Sequence, residues 1–229
     1  MLRLDNVSKS YGGRGRAVAA LLPTTLEVAT GEFVAVVGPS GCGKTTLLSV
    51  LGGMLAPTTG EVWLEGKSLY NLPHKERTRV RRDRVGFVFQ TFNLVPYLTA
   101  VENVQVPLYL AGVAPREQRR RAQALLERLG LGDRLTHRPG ELSVGQQQRV
   151  ALARTLANDP ALVLADEPTG NLDPDTREQV LELLAEFHRE GRTVVLVTHD
   201  PAAAARAGRV LRLIGGTVLD AVGQTPSAA

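Results

Sequence analysis

Phe33-Val34-Ala35-Val36-Val37-Gly38-Pro39-Ser40-Gly41-Cys42-Gly43-Lys44-Thr45-Thr46-Leu47-Leu48-Ser49-Val50-Leu51 places an apolar run, a glycine-rich octapeptide and a second apolar run in direct succession. The β-branched first run predicts a short buried strand, Glu32–Val37, and the second a helix, Lys44–Leu51. The octapeptide between them, Gly38–Thr45, fits G-x-x-x-x-G-K-[ST]. Glycines at Gly38, Gly41 and Gly43 let successive N–H groups turn inward, and a helix N-terminus adds about half a positive elementary charge facing a bound anion. Lys44 supplies a full charge for terminal phosphates. Ser40, Cys42 and Gly43 complete the cradle, Thr46 adds a phosphate hydrogen bond, and the Thr45 hydroxyl suits Mg²⁺, which takes oxygen ligands. Cys42 has two readings, a small side chain tolerated among glycines or a thiolate encouraged by the surrounding amides.

A second apolar run, Ala161–Ala165, ends in Asp166-Glu167, so two carboxylates leave the carboxyl end of a strand, where open α/β sheets bind ligands. Asp166 is assigned to the metal and Glu167 to polarising the water that attacks a γ-phosphate in line. A third run, Val194–Val197, ends in Thr198-His199, which brings an imidazole to the same edge if these strands are neighbours. His199 then donates a hydrogen bond to the γ-phosphate; a lone histidine is otherwise structural.

Around these runs, strands are expected at Leu2–Val7, Glu61–Glu65, Val85–Phe89 and Arg209–Ile214. Helices are expected at Arg116–Leu129, Gly145–Leu156, Pro174–Glu190 and Pro201–Ala207. Alternation of the two implies an α/β fold with a mainly parallel core sheet, core segments about 1–90 and 160–222. The alternation breaks over about 91–159, which reads as an inserted helical subdomain, and the small-residue tail 223–229 is expected to fray.

The 229 residues are 43% hydrophobic and 22% charged, which excludes collagen-like, disordered and disulfide-scaffold classes. The apolar runs are far shorter than the ~20 residues of a spanning helix, and no signal-peptide pattern opens the chain. One cysteine forms no internal disulfide, so a cytoplasmic location is expected. The net charge is +4, and the positive residues are nearly all arginine, with clusters at Arg77–Arg84 and Arg116–Arg121. Interspersed acids (Asp83, Glu117, Glu127) and the lack of aromatics within either cluster favour solvated helix faces over a nucleic-acid groove.

Leu142-Ser143-Val144-Gly145-Gln146-Gln147-Gln148-Arg149, ahead of Asp166-Glu167, resembles the signature motif of ABC-type ATPases. The order Lys44, Gln90, Ser143, Asp166-Glu167, Asp173, His199 is similar to the full series of that family, and the resemblance covers essentially the whole chain. It implies a P-loop NTPase fold with an N-terminal β portion, binding and hydrolysis of ATP with Mg²⁺, and a head-to-tail homodimer with each ATP between one cradle and the partner's signature segment. Ser143 and the Gly145 N–H then cap the γ-phosphate of the opposite protomer's ATP, Gln90 meets Mg²⁺ or the attacking water, and Asp173 contacts the opposite protomer. Tyr11 occupies the family's adenine-stacking position; packing on its own domain is the alternative reading. Val144 departs from the family's usual glycine, and either weakens phosphate approach or points away from it.

The segments Phe89–Pro96, Leu98–Val104 and Glu167–Asp173 resemble the lipoprotein-release and macrolide-export branch. That resemblance implies a membrane permease partner, docked on an apolar cluster of Phe92, Leu94, Val95, Pro96 and Tyr97, a peripheral location on the inner face of the membrane, and a periplasmic adaptor as a further partner. A regulatory ATPase of the cell-division type stays open as the alternative. A DNA-associated ABC ATPase is disfavoured, because the interval from Gln90 to Leu142 has no room for a long coiled coil and one cysteine builds no cysteine zinc cluster.

Overall fold

Strand β3 (Phe33–Val37) is buried from Phe33 to Val36 and lies between two parallel neighbours, β8 (Thr193–Thr198) and β9 (Arg209–Ile214). Burial on both faces explains why β3 and β8 read as apolar runs, whereas β9 alternates, with Leu211 and Leu213 buried and Arg212 and Ile214 exposed. The computed structural model describes residues 1–12 and 18–221, so the tail 223–229 lies outside the described residues. Two compact units divide the chain, residues 1–77 with 193 onward, and Thr78–Arg192.

In the first unit β10 (Thr217–Ala221) pairs antiparallel with β9 through a hairpin at Gly215-Gly216. Here Arg209 closes the edge, its guanidinium bonding Asp220 at 2.5 Å, Glu32 at 3.2 Å and the Glu27 carbonyl at 3.0 Å. A separate antiparallel sheet runs in the order β2 (Val18–Val28), β1 (Leu2–Tyr11), β4 (Thr59–Leu64), β5 (Lys67–Ser68). Leu2 and Leu4 of β1 face inward; a register shift with Asn6 at φ 47° then keeps Val7 buried rather than the next residue in strict alternation. The sequence reading had no strand at β2. Pro23, followed by Thr24, Thr25 and Glu27, masks it, yet Pro23 is tolerated because β2 is the edge of this sheet. The first unit also holds α1 (Lys44–Leu51) and α7 (Pro201–Ala204). The latter stops three residues before the expected Ala207, because the chain turns so that the Gly208 N–H reaches the Phe33 carbonyl at 3.0 Å.

The second unit pairs β6 (Val85–Val88) in parallel with β7 (Leu162–Asp166), Val85 opposite Leu162 and Val88 opposite Ala165. Its helices are α3 (Ala100–Leu110), α4 (Pro115–Arg128), α5 (Val144–Leu156) and α6 (Pro174–Arg189), with α3 packed on both α4 and α5. Between Val106 and Ala161 there is no strand among the described residues, so the helical segment 91–159 belongs wholly to this unit together with β6, β7 and α6. Helix α6 buries Val180, Leu181, Leu184 and Phe187, one stripe at helical spacing. Helix α3, not expected from the sequence, is fixed at its start by a capping box. Thr99 Oγ1 accepts the Glu102 N–H at 3.3 Å while the Glu102 carboxylate accepts the Thr99 N–H at 2.8 Å. Helix α2 (His74–Arg84) carries the Arg77–Arg84 cluster and buries no residue, which agrees with a solvated charged face.

Candidate active site

The cradle Gly38–Thr45 leaves the carboxyl end of β3 and enters α1, the strand–loop–helix order expected of it. Two of its glycines are dictated by backbone approach. A Cβ on Gly38 would lie 2.2 Å from the Leu213 carbonyl oxygen, and one on Gly43, at φ 108°, would lie 2.1 Å from the Ala20 carbonyl oxygen. The loop is therefore wedged against β9 and β2 in a shape no larger residue permits. Lys44 is buried to 9% exposure and its ammonium donates to the carbonyls of Gly38 and Pro39 at 2.8 and 2.9 Å, so the charge is held over the loop. Cys42 is buried beneath the loop with its sulfur against Gly38, and its N–H donates to the Pro39 carbonyl at 3.3 Å.

Tyr11 ends β1 with an exposed ring, and its hydroxyl lies 3.2 Å from Thr46 Oγ1 on the first turn of α1. The parallel register sets Val37 opposite Thr198, so the residues that follow, Gly38 and His199, leave adjacent strands at the same edge. Thr198 Oγ1 accepts the Asp200 N–H at 3.0 Å, and Asp200 in turn caps α7, which fixes the turn that carries the exposed His199.

In the second unit the aligned ends of β6 and β7 deliver Phe89-Gln90 and Asp166-Glu167 to one edge. Glu167 holds φ 47°, a left-handed backbone that non-glycine residues rarely adopt and that concentrates at functional turns. The loop from Glu167 to Asp173 is drawn tight by Gly170 N–H to the Glu167 carbonyl (3.1 Å) and Leu172 N–H to the Thr169 carbonyl (3.2 Å). Gln90 lies against this loop: a Cβ on Gly170 would come within 3.1 Å of Gln90 Nε2. Gln90 and the carboxylate loop are thus brought together.

Ser143 is the N-cap of α5. Its Oγ accepts the Gln146 N–H at 3.3 Å and Gln146 Oε1 accepts the Ser143 N–H at 2.9 Å, a reciprocal pair that leaves the serine proton available to donate outward. Gly145 has a packing reason of its own. A Cβ there would meet Thr176 Cγ2 at 2.5 Å, so the glycine lets α5 lie against the start of α6. Asp173 caps α6 and accepts the Thr176 N–H at 3.0 Å; a bond from the Thr176 hydroxyl, and then the N–H bond, hold its carboxyl below the usual range. Val144 has a helical backbone and is 48% exposed, so a β-branched residue stands there without strain.

Three residues that the sequence reading passed over hold these loops. Gln148, fully buried on α5, donates to the Pro168 carbonyl at 2.8 Å. Arg154, also on α5, donates to the carbonyls of Phe92 and Asn93 at 2.6 and 2.5 Å, and burial pushes its guanidinium below its ordinary value. Thr155 Oγ1 donates to the Phe87 carbonyl at 2.7 Å over Gly86, where a Cβ would meet the Thr155 methyl at 2.6 Å. The only available signal was a polar residue on the buried face of a helix already placed, Gly145–Leu156.

A wedged glycine cradle with an enclosed lysine, at the carboxyl end of a parallel strand, defines a P-loop nucleotide-binding domain. The family model for ABC transporters matches residues 21–170, and the chain belongs to that family. It is 48% identical over 218 residues to an uncharacterised ABC transporter ATP-binding protein of Thermotoga maritima, covering 95% of this chain and 93% of that one. It is 45% identical over 229 residues to the macrolide export ATP-binding/permease protein MacB of Marinobacter nauticus, where it spans 36% of the relative's length. Among solved structures, a dimeric ATP-binding cassette in a post-hydrolysis state with ADP and Pi superposes with a TM-score of 0.89 at 43% identity, covering 95% of this chain and 96% of that one. The chain is an ATP-binding, ATP-hydrolysing subunit of an ABC transporter. No helix among the described residues is long and apolar enough to cross a membrane.

Proposed function

We propose that two copies of this chain close head to tail on two ATP molecules and pull on membrane permease subunits of the macrolide-export or lipoprotein-release kind. The observation that carries this reading is the capped start of α5: Ser143 is exposed, its acceptor lone pair is used within its own helix, and its hydroxyl proton is left to meet an anion from another molecule. The dimeric solved cassettes at 43% and 44% identity support the assembly, and the ATP-binding/permease relatives support the membrane partner. An adaptor on the far side of the membrane belongs to the same reading, as does a peripheral place on the inner face of the membrane.

Each site residue then has a chemical task. Lys44 and the cradle N–H groups neutralise the β- and γ-phosphates, Tyr11 offers a ring to adenine, and Glu167 orients and polarises the attacking water. His199 donates a hydrogen bond to the γ-phosphate, while Ser143 and the Gly145 N–H close the opposite side. The Thr45 hydroxyl, the Gln90 side-chain oxygen and the Asp166 carboxylate are all hard oxygen donors, the set that fits Mg²⁺. Held by these residues, Mg²⁺ would supply positive charge to offset that developing on the phosphate.

Light scattering on Glu167→Gln protein with ATP and Mg²⁺ tests the assembly, in parallel with co-expressed permease. ATP-dependent dimers without turnover are expected, while Lys44→Ala loses nucleotide affinity itself. A Glu167→Gln protein that binds ATP yet stays monomeric in both settings would refute the shared site.

A further inference from the structure

Gln148 is fully buried on α5, and only half of its amide is engaged. Its Nε2 donates to the Pro168 carbonyl at 2.8 Å, while its Oε1 is buried with no hydrogen-bond partner among the described residues. The bond gained is roughly offset by the dry amide oxygen left unpaired, so stability does not account for a glutamine at this core position. A methionine would fill the same space without a polar atom. The bond that Gln148 does make falls at a demanding place. Glu167 holds φ 47°, outside the conformations ordinarily open to a residue with a side chain, and the proline after it further disfavours anything but an extended backbone. Such a backbone persists only where its surroundings over-determine it. Within the loop, the bonds from the Gly170 N–H to the Glu167 carbonyl (3.1 Å) and from the Leu172 N–H to the Thr169 carbonyl (3.2 Å) are local turns that move with the segment. Gln148 differs, because it ties the next carbonyl after Glu167 to a helix twenty residues away in the chain.

From this we infer that Gln148 is a positioning residue for ATP hydrolysis, holding the Glu167 carboxylate in place through the Pro168 carbonyl. The inference rests on the reading of Glu167 as the acid that polarises the attacking water. In-line attack needs the water, and so the carboxylate that orients it, in one place, and a misplacement of about 1 Å costs on the order of a hundredfold in rate. Without its donor the buried Pro168 carbonyl must rotate to find another, the strained turn relaxes, and Glu167 swings with it. Nucleotide affinity is untouched, because Lys44 and the cradle follow β3 in the other compact unit.

The test uses the full-length protein with Gln148→Met, which keeps length and volume, and with Gln148→Asn, which keeps the amide but shortens its reach, each shown to be folded by urea unfolding. Both are expected to lower kcat about ten- to a hundredfold and to leave KM and Kd for ATP within about twofold of the parent's. The residual hydrolysis of Glu167→Gln, read in single turnover, is expected to be unchanged when Gln148→Met is added, since no carboxylate is left to position. A purely structural glutamine would instead lower that residual rate by the same factor as in the parent. Parent-like kcat in either folded variant, a loss of ATP affinity that accounts for the slower rate, or the same fold-loss on top of Glu167→Gln overturns the inference. A Glu167→Gln protein that turns over as fast as the parent overturns the role of Glu167 instead, and does so with Gln148 unchanged.

Discussion

Gly145→Ala is expected to destabilise the protein although it adds only a methyl group in a helix that should welcome one. The added Cβ would sit 2.5 Å from Thr176 Cγ2 and 3.1 Å from Thr176 Oγ1, where ordinary contact begins near 3.4 Å. Thr176 cannot simply turn away, because its hydroxyl and its N–H both bond the Asp173 carboxylate that caps α6. Overpacking of this kind costs about 1–3 kcal/mol, and replacing Gly by Ala in a helix returns at most about 1 kcal/mol, so a contact this short should leave a net loss of up to about 2 kcal/mol. Thr176→Ser removes the methyl that clashes. A double-mutant cycle read from urea unfolding should therefore show a coupling of about 1 kcal/mol or more between the two sites. The displaced Thr176 also releases Asp173, whose carboxyl should titrate closer to its ordinary value in Gly145→Ala. Gly145→Ala as stable as the parent, or effects of the two substitutions that simply add, would refute the argument that this glycine is a packing residue.

Arg154→Met should lower stability by about 1 kcal/mol, because the half-buried Phe92 carbonyl and that of Asn93 lose their charged donor, and amide exchange over residues 92–95 should accelerate; unchanged unfolding midpoints would contradict it. Glu117 is held at about 2 by hydrogen bonds from Arg120 and then Arg121. Its folded value is depressed, so whatever it contributes to α4 is complete above the ordinary carboxylate range and is lost only as pH falls through about 2. A carbon-13 titration of its side chain in low salt checks this, with a shift upward expected in high salt; a midpoint at 4.5 would show that the arginines do not engage it.

The cradle and the carboxylate pair were legible because each is a local pattern, a strand running directly into its loop, whereas the pairing of β3 with β8, which sets His199 beside the start of the cradle, is a long-range feature no local run announces. Elements without such a signature were not. Helix α2 has no buried stripe for periodicity to find, and α3 mixes β-branched residues with an internal Pro107, so neither looks helical by propensity. Strand β2 hides behind its edge proline. The residues that position the site were the least visible of all. Gln148 and Arg154 act on carbonyls twenty and about sixty residues away in the chain, and a partner at that distance has no trace in the local sequence. The packing of Gly145 against a threonine methyl was equally invisible, since nothing in the signature motif reveals what α6 places against it.

Gln148 and Arg154 stand six positions apart on α5, about 9 Å along its axis. Each grips a different segment, one the turn after Glu167 and the other the stretch after Gln90. Such a rod works like a camshaft in one respect: both followers rest on the same shaft, so a displacement of α5 would be felt at both. On the function proposed above, the acid assigned to the attacking water and the glutamine assigned to the nucleotide would thereby be geared to the one helix that also begins at Ser143.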